Sequence, residues 1–171
     1  EGYLFDRPEA KAAFRQAAKI AKGAGRKVAL TLSDGFCVER HRAEFLDLIR
    51  GEVDILFANE AEICSLYEVD DVESAIAQVR REVGLAVVTR SEHGSVIVRG
   101  EERVDVPAAP VDEVVDTTGA GDLYAAGFLY GYSTGRDLAT CGRLGSIGAA
   151  EIISHIGPRP EQRLADLARG V

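Results

Sequence analysis

Residues 115–122 read Val-Asp-Thr-Thr-Gly-Ala-Gly-Asp, a pattern that sets one carboxylate, Asp122, beside a stretch of lightly substituted backbone. Gly119 and Gly121 leave consecutive N–H groups free of side-chain bulk, and Ala120 adds only a methyl. A valine-rich segment with Pro107 and Pro110 precedes the motif, and apolar residues at helical spacing over 123–132 follow it. The motif therefore lies where an extended segment enters a helix, and Thr117 or Thr118 is expected to cap that helix. Amides at the positive end of a helix dipole converge on an anion, for which a phosphate oxygen is a natural occupant. A carboxylate in the first turn is placed to accept a proton from a substrate hydroxyl. Phosphoryl transfer asks little basic strength of that group, because most of its catalysis is positioning and charge stabilisation. The chemistry indicated is phosphoryl transfer, with Asp122 as general base.

A tight strand-to-helix turn is the simpler reading of an isolated Gly-x-Gly, but the flanking Asp116, the two threonines and Asp122 favour the chemical one. Other nucleotide motifs fit less well. A dinucleotide fingerprint needs a third glycine or alanine where Tyr124 stands, and no Gly-Lys-Ser/Thr for a P-loop occurs. A methyltransferase-like strand followed by Asp-x-Gly-x-Gly is closer and stays open as a competitor, although two residues separate Asp116 from Gly119.

The chain has 171 residues, 46% hydrophobic and 28% charged, enough for one domain with a real core. A formal charge of -8 argues against general affinity for nucleic acid or an anionic membrane, so any phosphate site must be local. Cys37, Cys64 and Cys141 are odd in number and widely separated. They suggest neither a disulfide framework nor a zinc site, and a reducing cytoplasmic setting. No apolar run approaches about 18 residues and no signal-peptide pattern opens the chain. The sequence contains no methionine and begins Glu1-Gly2-Tyr3-Leu4-Phe5, which reads as the end of a buried strand. The expectation is that an amino-terminal portion precedes it.

The elements that must position the motif follow from periodicity. Pro8 opens a helix that Gly23 and Gly25 stop. Residues 27–32 read as a strand, 38–49 as an amphipathic helix, 53–58 as a buried strand, and 59–67 and 72–83 as helices. Strands at 85–89 and 95–98 flank a turn. This alternation implies a single α/β domain with a largely parallel sheet covered by helices on both faces. Ligands of such sheets sit beyond the carboxyl ends of the strands, where Asn59, Thr89 and the 116–122 motif all fall. Residues 136–153 read as a long helix containing Gly142, Gly145, Gly148, Ala149 and Ala150, a set with poor intrinsic helicity. These small residues permit close approach of the helix at 120–132 or of a flat ring such as adenine, packing being the simpler explanation. Gly157, Pro158 and Pro160 break the chain before a final helix at 161–169.

Residues 116–122 resemble the carboxyl-terminal signature of the ribokinase-like, or PfkB, family of carbohydrate and nucleoside kinases, and Asn59-Glu60-Ala61-Glu62 resembles its Asn-x-x-Glu motif. The two stand in the expected order, the resemblance runs over residues 27–160, and the segment 32–42 is similar to the adenosine-kinase-like branch. The resemblance implies a three-layer Rossmann-like fold and transfer of the ATP γ-phosphate to a primary hydroxyl of a sugar or a nucleoside such as adenosine. It makes Gly119, Ala120, Gly121 and Asp122 the anion hole, with Asp122 taking the proton of the acceptor hydroxymethyl. Asn59 and Glu62 would organise Mg²⁺ and its waters, which suits a hard cation that retains water. A helix cap with a solvated acid is the simpler reading of that pair. Asp116 would help hold a monovalent cation such as K⁺. Thr89 and Gly94 would belong to a Thr-x-Gly-x-x-Gly nucleotide loop, in which Ser91 stands where the first glycine is usual. Ala149, His155 and Gly157 fall at the adenine pocket, although His155 also reads as a surface residue at a helix end.

In this family the acceptor is bound mainly by the amino-terminal half, of which nothing is recognisable here. The resemblance therefore implies the ATP-binding carboxyl-terminal part of a kinase, truncated at the amino terminus and unable to phosphorylate a sugar efficiently alone. An uncovered sheet edge or apolar face would favour self-association into a homo-oligomer or poor order at 1–6. A nucleotide-binding module without catalysis is the alternative, against which the retained Asp122 speaks.

Overall fold

Caps and apolar stripes set the elements of the first of two units, residues 1–88 with 98–103, within the 171 residues described by a computed structural model. Helix α1 (Pro8–Gly23) starts on its proline, where a missing N–H breaks no helical bond. Helix α2 (Gly35–Gly51) is capped by Asp34, whose carboxylate accepts from Cys37 N at 2.6 Å. It buries Cys37, Val38, Phe45, Leu48 and Ile49, and its backbone leaves helical geometry at His41. Strands β1 (Ala29–Thr31) and β2 (Ile55–Asn59) pair in parallel, with Leu30 opposite Leu56. Helices α3 (Glu60–Tyr67) and α4 (Val72–Glu82) lead to strand β3 (Leu85–Thr89). Ile55 to Ala58 and Leu85 to Val88 are buried without alternation, as expected of strands covered on both faces.

Strands β4 (Ser95–Arg99) and β5 (Glu102–Val106) complete a five-stranded sheet of order β1-β2-β3-β4-β5. Only Gly100 and Glu101 join β4 to β5, a connection open only to antiparallel neighbours, so the sheet is mixed, parallel at β1–β2 and a hairpin at β4–β5. Residues 1–5 are not the end of a strand. Gly2–Asp6 forms a 3-10 turn, because Phe5 is an anchor, packed edge-on against Phe14 and tilted against Phe45 with centroids 5.6 and 5.0 Å away.

The second unit, residues 89–97 with 104–171, is built on helices α5 (Ala120–Ser133) and α6 (Leu138–Ile153). Asp137 caps α6 by accepting from Thr140 N at 2.9 Å. The small residues of these helices serve packing: a Cβ on Gly127 would collide with the Leu144 carbonyl, and one on Gly145 would lie 2.8 Å from the Tyr124 carbonyl oxygen. The expected final helix at 161–169 shrinks to α7 (Leu164–Leu167). The amides of Glu161 and Gln162 donate instead to the Glu151 carboxylate at 2.8 and 2.9 Å. No helix is long and apolar enough to cross a membrane.

Candidate active site

The turn before α5 is fixed by Asp116. Its Oδ1 accepts from Thr118 N at 2.9 Å and its Oδ2 from Gly157 N at 3.0 Å. Val115 N donates to the carbonyl of Ile153, at the end of α6, at 2.8 Å. Hydrogen bonds from Thr118 and the Gly157 amide hold the Asp116 carboxyl below the usual carboxylate range. The expected threonine cap is not made: Gly119 is the N-cap, with φ +84° and no side-chain bond. Asp116 captures the Thr118 amide in an Asx turn, and the chain then needs a left-handed residue, for which glycine has no steric cost. A Cβ on Gly119 would also lie 3.1 Å from Cβ of Pro158.

The first turn of α5 consequently presents donors. Ala120 N bonds Thr117 O at 3.1 Å and Leu123 N bonds Gly119 O at 2.9 Å, whereas the amides of Gly121 and Asp122 reach no backbone acceptor. A Cβ on Gly121 would meet nothing within 4 Å, so an anion has access. Asp122 is exposed. Two unpaired amides at the positive end of a helix, with a free carboxylate on the same turn, can hold an anionic oxygen and take a proton beside it.

The loop after β3 has two residues with positive φ. Ser91 takes a left-handed φ of +51° and Gly94 a φ of +79°, while Arg90 N donates to Gly94 O at 2.7 Å. Ser91 thus adopts a left-handed conformation that a glycine would adopt more cheaply. Gly94 is required by close approach, since a Cβ there would collide with the Val106 carbonyl. Thr89, at the end of β3, is half-buried.

At the end of α6, His155 is not a surface residue: its side chain is 13% exposed and its Nε2 lies 3.3 Å from Glu151 Oε1. Glu151, buried and unflagged by any sequence motif, ties residues 155–162 to α6, and Gly157 in that segment donates to Asp116. Glu151 Oε2 and His155 Nδ1 are buried without hydrogen-bond partners. Ala149 and Gly157 are half-buried.

Asn59 and Glu62, in the first unit, meet each other at the start of α3. Asn59 Oδ1 accepts from Glu62 N at 2.8 Å, and Glu62 accepts from Asn59 N at 2.9 Å and from Asn59 Nδ2 at 2.8 Å. The pair is a capping box, yet the acid is not solvated. Glu62 is 5% exposed, and burial pushes its carboxyl above the usual range, opposed by the Asn59 amide. A buried carboxylate with no cationic side chain at hydrogen-bond distance is costly, and an amide and a carboxylate oxygen donor set fits a hard cation such as Mg²⁺.

Sequence reasoning singled out most of these positions and missed Glu151 and the buried hydroxyls of Ser95 and Tyr124, which lie 2.6 Å apart. Neither a buried serine nor a buried glutamate leaves a periodic or motif signal of its own.

The model of the pfkB family carbohydrate kinase matches residues 1–163. The cytidine kinase of Thermococcus kodakarensis is 41% identical over 120 residues, covering 68% of this chain and 42% of the relative. Among solved structures, the adenosine kinase from Sinorhizobium meliloti is 57% identical, with a TM-score of 0.96 over 98% of this chain and 52% of that one. The ribokinase of Arabidopsis thaliana, solved with ribose and ATP, is 25% identical with a TM-score of 0.76 over 96% and 54%. The chain spans about half the length of the relatives it matches. The fold is that of ribokinase-like kinases.

Proposed function

As the chain belongs to the pfkB family of carbohydrate kinases, we propose that it is the ATP-binding part of a phosphotransferase that moves the γ-phosphate of ATP to a primary hydroxyl of a sugar or nucleoside. One observation carries this reading: the Gly121 and Asp122 amides stand unpaired beside the free carboxylate of Asp122. The amides bind an oxygen of the migrating phosphoryl group and stabilise the charge that gathers there, the larger part of catalysis in this chemistry. Asp122 takes the proton of the attacking hydroxyl. Asp116 holds the turn through both its oxygens, each of which keeps a lone pair for a monovalent cation such as K⁺. Thr89 and Gly94 contribute to the nucleotide loop, and Ala149 and His155 border the adenine.

Asn59 and Glu62 would hold Mg²⁺ and its waters, the ion neutralising phosphate charge when bound. Glu62 suits that task because it is a buried carboxylate whose hydrogen bonds come only from Asn59. The adenosine kinase at 57% identity and the cytidine kinase at 41% favour a nucleoside acceptor. The geometry itself favours an enzyme over a passive nucleotide binder, since Asp122 is neither paired nor used as a cap.

Calorimetry with ATP, ATP–Mg²⁺ and S-adenosylmethionine tests the reading on the 171-residue chain. Saturable binding of ATP, tightened by Mg²⁺, with no heat from S-adenosylmethionine, is the expected result. Binding of S-adenosylmethionine with indifference to Mg²⁺ would replace the kinase by a methyltransferase.

A further inference from the structure

Tyr124 lies two residues beyond the proposed base and turns its ring into the second unit. It is 4% exposed, and its hydroxyl meets Ser95 Oγ at 2.6 Å. Ser95, itself 2% exposed, follows Gly94 directly, and Gly94 closes the loop after β3 by accepting from Arg90 N at 2.7 Å. The ring has a place made for it, since a Cβ on Gly145 of α6 would lie 3.0 Å from both Cε1 and Cζ of Tyr124. Burial pushes the phenol up to about 12, so it stays a neutral hydroxyl able to bond serine. One side chain thereby joins the helix carrying the amides to the first residue after the nucleotide loop.

We infer that Tyr124 is a positioning residue, whose hydrogen bond to Ser95 holds the Gly121 and Asp122 amides in register with the Thr89–Gly94 loop. The inference rests on the reading of both segments as nucleotide-binding. Phenylalanine would fill the volume of Tyr124 and leave the Ser95 hydroxyl buried and unpaired, so the loop would lose its tie to α5 while the core kept its packing. Displacements of about 1 Å are enough to cost on the order of 10²-fold in a positioned reaction.

The test is a double-mutant cycle on the 171-residue chain with Tyr124→Phe, Ser95→Ala and the pair. It is read by ATP–Mg²⁺ affinity, by amide hydrogen exchange without nucleotide, and by thermal unfolding. Each single variant is expected to weaken ATP binding by roughly 3- to 10-fold and to speed exchange in both 91–95 and 119–123, the double variant being no worse than the weaker single. A bond that only stabilises the core would lower the melting temperature and leave ATP affinity at the wild-type value. That result, additive losses, or exchange that quickens in one segment alone would overturn the inference. A wild-type chain that binds no ATP would instead sink the kinase reading, and the exchange measurement would then decide the coupling by itself. If Ser95→Ala does not fold, the isosteric Tyr124→Phe carries the same comparison.

Discussion

Asp116 and Asp122 are the same side chain within one motif, and the fold gives them opposite work. Asp116 spends both oxygens on the amides of Thr118 and Gly157, while Asp122 is left exposed on the first turn of α5. Under the proposed function, Asp122→Asn is expected to lower the kcat of phosphoryl transfer by about 10²- to 10⁴-fold, because it removes the proton acceptor and keeps the amides. ATP affinity measured alongside should stay within about twofold of wild type; lost ATP binding with retained turnover would contradict the assignment. Glu62 gives a second contrast. Glu62→Gln removes a buried charge and one capping bond together, so unfolding free energy is expected to move by no more than about 1 kcal/mol, while the Mg²⁺ dependence of ATP binding disappears. Calorimetry with and without Mg²⁺, beside chemical denaturation, separates the two effects. The motif residues were legible because glycines and acids at fixed offsets are themselves the signal. Thr117 and Thr118 misled as caps because the local competition was won by Asp116, an outcome that depends on backbone angles rather than on composition.

At the scale of elements, the helices and buried strands of the first unit follow the apolar periodicity of the sequence, and the exceptions have local causes. Gly2–Asp6 carries no period, and the burial of Phe5 against α1 and α2 decides its shape. The last helix loses its start to the Glu151 carboxylate, a tertiary contact ten residues away in sequence. The glycines of α6 were compatible with packing or with a ring, and the near contact of Gly145 with the Tyr124 carbonyl shows packing. The loop after β3 is the element where sequence and conformation disagree, since Ser91 sits at φ +51°. Ser91→Gly relieves the left-handed strain and adds chain entropy to the unfolded state, so a net stabilisation of up to about 1 kcal/mol is expected. Ser91→Val, branched at Cβ, is expected to destabilise by more than about 1 kcal/mol. Urea denaturation of the two variants checks the sign of each, and a stabilised valine variant would contradict the account of the loop.

Across the whole molecule, carboxylates hydrogen-bonded in the folded state dominate the response to acid. Asp6 is held below the usual range chiefly by His41, Asp34 by Tyr3, Asp71 by Ser74, Asp116 by Thr118 and Asp137 by Thr140. A carboxyl whose folded value is depressed contributes stability above its unfolded value, near pH 4, and loses it as pH falls through the folded one. Glu62 runs the other way, because burial raises it and protonation relieves the fold. With Glu44, held down chiefly by Lys11, and Asp54, lowered by Lys22 against the desolvation of its burial, seven depressed carboxyls stand against this one and predict a melting temperature that is nearly level from pH 8 to 6 and falls below about pH 4. Circular dichroism melts across that range check it, and a rise on acidification would contradict it. The α/β class could be read from strand–helix alternation, whereas the mixed sheet turns on a β4–β5 hairpin announced by a single glycine, Gly100 at φ +56°, without the Asn-Gly, Asp-Gly or Gly-Gly pair that is the stronger signal.

Under the proposed function, the amides of Gly121 and Asp122 receive a phosphate of ATP. Titration of the ¹⁵N-labelled chain with ATP–Mg²⁺, followed by amide NMR, tests it most directly. The account predicts that the Gly121 and Asp122 resonances shift saturably and furthest within α5, with adenosine alone leaving them in place. Saturation of binding with those two amides unmoved would contradict it.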